Sequence, residues 1–239
     1  MFNELESYKD KHLNQRCFII GNGPSLNDTN LDLIKDEVTF GMNRIDLLYH
    51  KTQWRPTYYI FSSSNCESAI WGNEWSKSVV NCSKEPKTTP FIWSRYKQPI
   101  ETRAGKLDPS CHYLHSFSEF DKPMGTDKHF STDAHLRLDK SGTTMNIAFQ
   151  LAYYMGFNEV YVIGADMNWV ATNSSNGDPN HFDPSYKANI GDGKREFERM
   201  SAVHEVAKKF FEERGGKIYN AGYNSGLKIH PKVEFESVV

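Results

Sequence analysis

Two residues of this chain are spaced to move a proton, and a third group is spaced to hold an anion. His181 stands in the polar run Asn180-His181-Phe182-Asp183-Pro184. An imidazole there titrates near neutral pH and can act as a general base, with Asp183 close enough in sequence to orient it. Asp166 follows the apolar run Glu159-Val160-Tyr161-Val162-Ile163-Gly164-Ala165. It reads either as a catalytic or ribose-binding carboxylate or as the cap of a neighbouring loop. The anion group is Gly21-Asn22-Gly23-Pro24-Ser25, which closes the run Cys17-Phe18-Ile19-Ile20. A buried strand that turns into a helix start presents free N–H groups and the positive end of the helix dipole. Gly21 and Gly23 can take positive φ and let a ligand approach the main chain. Pro24 suits a first helical turn, and Ser25 or Asn27 can cap it. The third glycine of the dinucleotide fingerprint is missing and no Gly-Lys-Ser/Thr follows, so the segment is neither that fingerprint nor a Walker loop. A nucleotide or phosphate site is the functional reading, and a plain tight turn is the structural one.

Further polar groups follow expected strand ends. Asn22 and Asn43 can bond a ribose, a phosphate or a base edge, or their own backbone as turn asparagines. Arg44 can pair with a phosphate or form a surface ion pair. Ser62 and Ser63 can donate to a phosphate or sugar, or simply make a polar loop. Ser141 and Gly142 open a helix and offer a second anion nest, or an N-cap. His204 lies inside a long helix as a surface or packing residue. His112 and His115 share one side of a strand without a third metal ligand.

These groups need elements to carry them. Strands are expected over Cys17 to Gly21, Val38 to Gly41, Tyr58 to Phe61, Glu159 to Gly164 and Lys217 to Asn220. Short strands are expected at Val79-Val80 and Phe91 to Trp93. Helices are expected over Asn30 to Lys35, Ile45 to Tyr49, Met145 to Met155 and Arg195 to Arg214, with a short one among residues 1 to 15. Met145 to Met155 is apolar on nearly all faces, so it packs on a sheet, and Gly156 ends it. Residues 66–140 read as an irregular insertion, and 168–193, rich in Asn, Ser, Gly, Asp and Pro, as a mobile loop or lid. The alternation predicts one α/β domain over 1–239, a Rossmann-like doubly wound, mostly parallel sheet. Ligands of such sheets lie off the carboxyl ends of the strands, which gathers the groups above along one edge.

With 239 residues and a formal net charge of −2, the chain is large enough for a sizeable core and lacks the basic balance of a nucleic-acid binder. Cys17, Cys66, Cys82 and Cys111 show neither metal spacing nor a paired framework. With no leader-like segment and no long apolar span, the cytoplasm is the expected compartment.

The Gly21-to-Leu26 motif, Gly41-Met42-Asn43-Arg44, Ser141-Gly142 and the block from Tyr154 to Asp166 together resemble two related groups of proteins. One is the set of Campylobacter-type sialyltransferases, which use CMP-activated sialic acid. The other includes the Maf flagellin glycosylation factors, the archaeal 6-hydroxymethylpterin diphosphokinases and bacterial proteins found near surface-polysaccharide genes. The resemblance covers residues 16–65 and 141–225. It implies a transferase that uses a nucleotide-activated sugar, CMP-linked, in surface glycan assembly. Asn22, Gly23 and Asn43 would bind CMP, Ser141 and Gly142 would lie by the donor, and His181 would deprotonate the acceptor hydroxyl. The implied reaction is an inverting displacement that needs no metal or other cofactor, with a nucleotide-sugar donor and a glycan or glycolipid acceptor as partners. It leaves peripheral inner-membrane association and homo-oligomerisation open. Asn168 and Trp169 stand where the sialyltransferases place tyrosines, and Arg137 approximately meets their arginine before Ser-Gly. The diphosphokinase alternative would use Mg²⁺ with ATP, but Phe61-Ser62-Ser63-Ser64-Asn65 replaces its acidic segment. A nucleotide-binding module without catalysis is the third reading.

Overall fold

Strands whose residues are buried without alternation belong to a sheet covered on both faces. Cys17, Phe18, Ile19 and Ile20 are all buried, and so are all four residues from Tyr58 to Phe61. The computed structural model describes residues 5–115, 130–140, 143–170, 178–188 and 193–239. Seven strands form one sheet: β1 (Arg16–Ile20), β2 (Thr39–Met42), β3 (Tyr58–Phe61), β4 (Thr89–Trp93), β5 (His112–Leu114), β6 (Glu159–Ile163) and β7 (Lys217–Asn220). Their order is β5-β4-β3-β2-β1-β6-β7 and every pairing is parallel. The expected Rossmann-like α/β class is therefore present, with the sheet wholly rather than mostly parallel.

The helices are α1 (Gly72–Ser83), α2 (Lys97–Ala104), α3 (Thr144–Tyr154) and α4 (Gly193–Glu213). α1 packs on α2, and α3 packs on α4. The chain moves outward one way from β1 to β5, then crosses to β6 and continues the other way to β7. Right-handed crossovers put the two helix pairs on opposite faces. β1 and β6 are thus neighbours whose following connections diverge, the switch point at which a doubly wound sheet opens a crevice.

Several expectations need correction. Val79 and Val80 lie in α1, not in a strand. Trp75, Val79 and Cys82 recur at helical spacing and are buried together. Residues 66–114 are not irregular, because α1, β4, α2 and β5 continue the sheet through them. The stretches near Asn30 and Ile45 close into 3-10 turns, Leu31–Ile34 and Ile45–Leu48, and the leading segment into Glu6–Tyr8. The first helical turn after β1 begins at Pro24, and its cap is Gly23, not Ser25 or Asn27.

α3 is buried along almost its whole length, as its apolar composition requires. It ends in a Schellman motif: Gly156 takes φ +87°, its N–H bonds the Tyr153 carbonyl, and the Phe157 N–H bonds the Ala152 carbonyl. Gln150, fully buried on α3, accepts from the Ser131 and Asp139 N–H groups at 2.9 and 2.8 Å and donates to the Asp139 carbonyl at 2.8 Å. One side chain thereby ties residues 131–139 to the sheet's covering layer. On α4, His204 is buried, not at the surface, and its Nδ1 lies 2.9 Å from Nε2 of buried His230 in the C-terminal tail.

Candidate functional site

The β1 and β6 ends meet closely, and glycines permit it. A Cβ on Gly21 would stand 2.3 Å from the Gly164 carbonyl oxygen, and one on Gly23 would stand 2.5 Å from Asp166 Oδ2. Neither Gly21 nor Gly23 is at positive φ. Close packing of backbone on backbone, and not left-handed geometry, excludes a side chain at both. Their N–H groups are also spent, on the Ile163 and Gly164 carbonyls at 2.8 Å each. The anion that meets the helix start after β1 is the protein's own: Asp166 accepts from the Ser25 N–H at 2.8 Å and the Ser25 hydroxyl at 2.5 Å. Of the two readings of Asp166, these hydrogen bonds are those of the cap.

Beyond this junction a cleft of about 360 Å³ opens along the carboxyl edge, lined by Asn22, Pro24, Asn43, Asp166, Trp169 and His181 among others. Asn22 donates to the Met42 carbonyl, while its Oδ1 is buried without a partner. Asn43, at φ +55°, accepts at Oδ1 from the Thr144 hydroxyl at 3.2 Å.

The segment 178–188 forms one wall of the cleft, and it is stitched to the β1 loop. The Phe182 N–H bonds the Asn22 carbonyl at 3.0 Å, and Asn27 donates to the Phe182 carbonyl at 2.8 Å. Arg44 is buried: it donates to the Ser185 and Tyr186 carbonyls at 2.7 Å each and to Ser78 of α1 at 3.2 Å. These bonds engage its Nε and Nη1 under the wall, and Arg44 does not line the cleft where a phosphate was expected to meet it. Asn180 holds the Val170 N–H and carbonyl at 2.7 and 2.8 Å.

His181 lies in this wall and lines the cleft. Its Nδ1 is 2.8 Å from Asp178 Oδ2. A carboxylate only accepts, so Nδ1 carries the proton and Nε2 the lone pair. Asp183, expected to orient the ring, instead accepts from the Ser185 N–H and hydroxyl at 2.7 and 2.6 Å. Burial pushes the Asp178 carboxyl up, but the His181 hydrogen bond and charge and the N–H groups of Asn180 and Ala188 outweigh it and hold it below the usual range. The imidazole stacks on Tyr186, ring centroids 3.8 Å apart and planes 6° apart, with the Trp169 indole edge-on at 6.0 Å.

The serines are placed elsewhere. Ser62 is buried against the Thr144 hydroxyl at 2.9 Å, and Ser63 caps the turn after β3 by accepting from the Asn65 N–H. Neither lines the cleft. Ser141 and Gly142 lie outside the described residues, as do 171–177 and 189–192 of the expected lid and 116–129 of the expected insertion. The cap of α3 within the described residues is Thr143, which accepts from the Met145 N–H. Arg137 is exposed and does not line the cleft. No group of three or more His, Cys, Asp or Glu suited to a metal occurs among the described residues. No helix among them is long and apolar enough to cross a membrane. The four cysteines are buried and free.

Sequence reasoning missed Asp178 and Tyr186. Asp178 precedes His181 by three residues, a spacing that one tight turn converts into a contact. Tyr186 carries no local signal, because only the fold of the wall brings its ring under His181.

No protein-family model and no curated protein matches the chain. Solved structures do share its fold. The Maf glycosyltransferase from Magnetospirillum magneticum AMB-1 superposes with a TM-score of 0.57 at 14% identity, over 99% of this chain and 39% of that one. This chain therefore spans well under half the length of that protein. The sialyltransferase CstII from Campylobacter jejuni, in complex with the substrate analogue CMP-3FNeuAc, gives a TM-score of 0.51 at 14% identity, over 92% of this chain and 86% of that one. The sialyltransferase CST-II in complex with a trisaccharide acceptor and CMP gives 0.51 at 15% identity, with the same coverage. At these identities the likeness is one of fold.

Proposed function

We propose that this chain is a glycosyltransferase-like enzyme that takes a CMP-linked sugar and transfers it in surface glycan or polysaccharide assembly, in the cytoplasm. The observation that carries this reading is His181, its Nδ1 held by Asp178 and its ring lining the cleft at the β1/β6 switch point. The fold shared with glycosyltransferases, two of them solved with CMP or a CMP-sugar analogue, supports the same reading.

In this mechanism Nε2 of His181 takes the proton of an acceptor hydroxyl while that oxygen attacks the anomeric carbon. The bond from that carbon to the phosphate oxygen breaks, and CMP leaves with the electron pair. Attack opposite the leaving group inverts the anomeric centre. Asp178 stabilises the imidazolium that forms, as an orienting carboxylate does in a hydrolase triad. The scheme calls on amide and hydroxyl donors, and on no cofactor, to meet the leaving phosphate. Asn22, with its orphaned acceptor, is the group offered to a ribose hydroxyl. A lipid-linked acceptor would bring the chain to the inner membrane surface.

Thermal shift with CMP, CDP, UDP, GDP and ATP, each with and without Mg²⁺, tests the donor. CMP at about 100 times its Kd should add about 2.7 kcal/mol without metal. His181→Ala should keep that shift and lose roughly 10²- to 10⁴-fold in kcat with a CMP-sugar. Stabilisation by ATP only with Mg²⁺ overturns this assignment in favour of pyrophosphoryl transfer. CMP binding without turnover of any CMP-sugar makes the chain a nucleotide-binding module.

A further inference from the structure

We propose that Tyr186 is the positioning residue for His181, a platform clamped by Arg44 that fixes where the imidazole presents Nε2. The inference rests on the reading of His181 as the base. Hydrogen bonding to Asp178 fixes one ring nitrogen but leaves the ring free to pivot about that bond. The Tyr186 ring removes that freedom, because parallel planes 3.8 Å apart are in van der Waals contact.

The platform is itself immobilised from three directions. Arg44 bonds the two carbonyls that flank the Tyr186 Cα, those of Ser185 and Tyr186, and reaches Ser78 on α1. Phe182 packs edge-on against the Tyr186 ring at 6.0 Å. The Trp75 ring of α1 packs edge-on against Tyr186 at 5.3 Å. A buried cation and two aromatic rings thus converge on one residue that does not itself meet solvent. Arg44, which reads as a phosphate ligand in the sequence, acquires a purpose as a support of the base.

When His181 takes a proton, the imidazolium lies over the Tyr186 face, where a cation is attracted by the ring quadrupole. The charged and titratable groups around it are Asp178 on Nδ1, Tyr186 beneath it, Arg44 behind Tyr186, and Asp28 and Asp166 in the same cleft.

The test compares Tyr186→Phe, Tyr186→Leu and Arg44→Lys in the full chain. Nitrogen NMR of His181 reads the tautomer without any turnover. Wild type and Tyr186→Phe should show the Nδ1–H form, whereas Tyr186→Leu should show exchange between tautomers. With a CMP-sugar, Tyr186→Leu should lose about 10- to 100-fold in kcat with KM and the CMP thermal shift within about twofold, the signature of a misplaced group. Arg44→Lys should move the same readouts in the same direction, since a point charge cannot clamp both carbonyls. Should Tyr186→Leu fail to fold, Arg44→Lys carries the comparison. An unchanged tautomer in Tyr186→Leu, or in Arg44→Lys where that stands in for it, overturns the platform. Full turnover in His181→Ala sinks the base assignment instead, and the NMR comparison still decides the platform.

Discussion

A residue type can be required for a reason other than its motif suggests. Gly21 and Gly23 sit in a sequence that reads as a phosphate loop, yet their N–H groups bond the Ile163 and Gly164 carbonyls at the end of β6 and their missing Cβ atoms make room for Gly164 and Asp166. Gly21→Ala should therefore destabilise the fold by about 3 kcal/mol, because the nearest atom is a backbone oxygen that cannot move aside alone. Gly23→Ala meets a side-chain carboxylate first and should cost less, about 1–2 kcal/mol, while displacing Asp166 from Ser25. Urea denaturation of the two variants checks the order, and a Gly23→Ala loss equal to or above that of Gly21→Ala contradicts it. The same logic moves Arg44 from ligand to scaffold.

At the scale of elements, α3 does more than cover the sheet. Thr143 and Thr144 at its start reach the cleft and Asn43, and Gln150 in its middle holds the segment 131–139. Gln150→Ala would leave the Ser131 and Asp139 N–H groups and the Asp139 carbonyl without this partner. A loss of about 2–4 kcal/mol is expected. Hydrogen exchange should accelerate at the Ser131 and Asp139 amides far more than in β1 or β6, since the tie is local. Uniform acceleration across the sheet would show that Gln150 supports the global fold instead. The wall 178–188 is an element of the same kind, irregular in backbone yet held by Asn22, Asn27, Arg44 and Trp75.

For the whole molecule, pH dependence has a stated sign. Burial pushes His204 and His230 far below the ordinary histidine value of 6.5, and the neighbouring His204 further lowers the tendency of His230 to charge. The unfolded chain binds two protons below that value that the folded chain refuses, so stability present above pH 6.5 is lost progressively as pH falls. About 2.5 kcal/mol should go between pH 7 and 5.5. Asp178 is held low and adds its own loss only in the carboxylate range, while Asp46, pushed up by burial, acts in the opposite sense. Denaturation curves across this range check the slope, and His230→Gln should remove about half of it. A flat profile from pH 7 to 5.5 would mean that the pair charges in the folded state.

The amino-acid sequence determined most of the strands. Runs such as Cys17 to Ile20 and Val160 to Ile163 are apolar at every position, which suits only a sheet buried on both faces, and β3 and β7 stand where their side-chain pattern places them. It also determined which edge holds the cleft, because a doubly wound order sends every strand-end loop to one side, and it marked His181. What it left open were contacts between residues far apart in the chain. Val79 and Val80 look like a strand until α1 is seen packing on α2, since two adjacent apolar residues carry no period. Arg44 and a phosphate, or Arg44 and two carbonyls 141 and 142 residues away, are the same local text. Tertiary structure alone chose between them, because hydrogen bonding and ring stacking depend on separations of a few ångströms that sequence distance does not encode. It also set Asp178 on Nδ1 of His181, Tyr186 under the ring and Asp166 on Ser25.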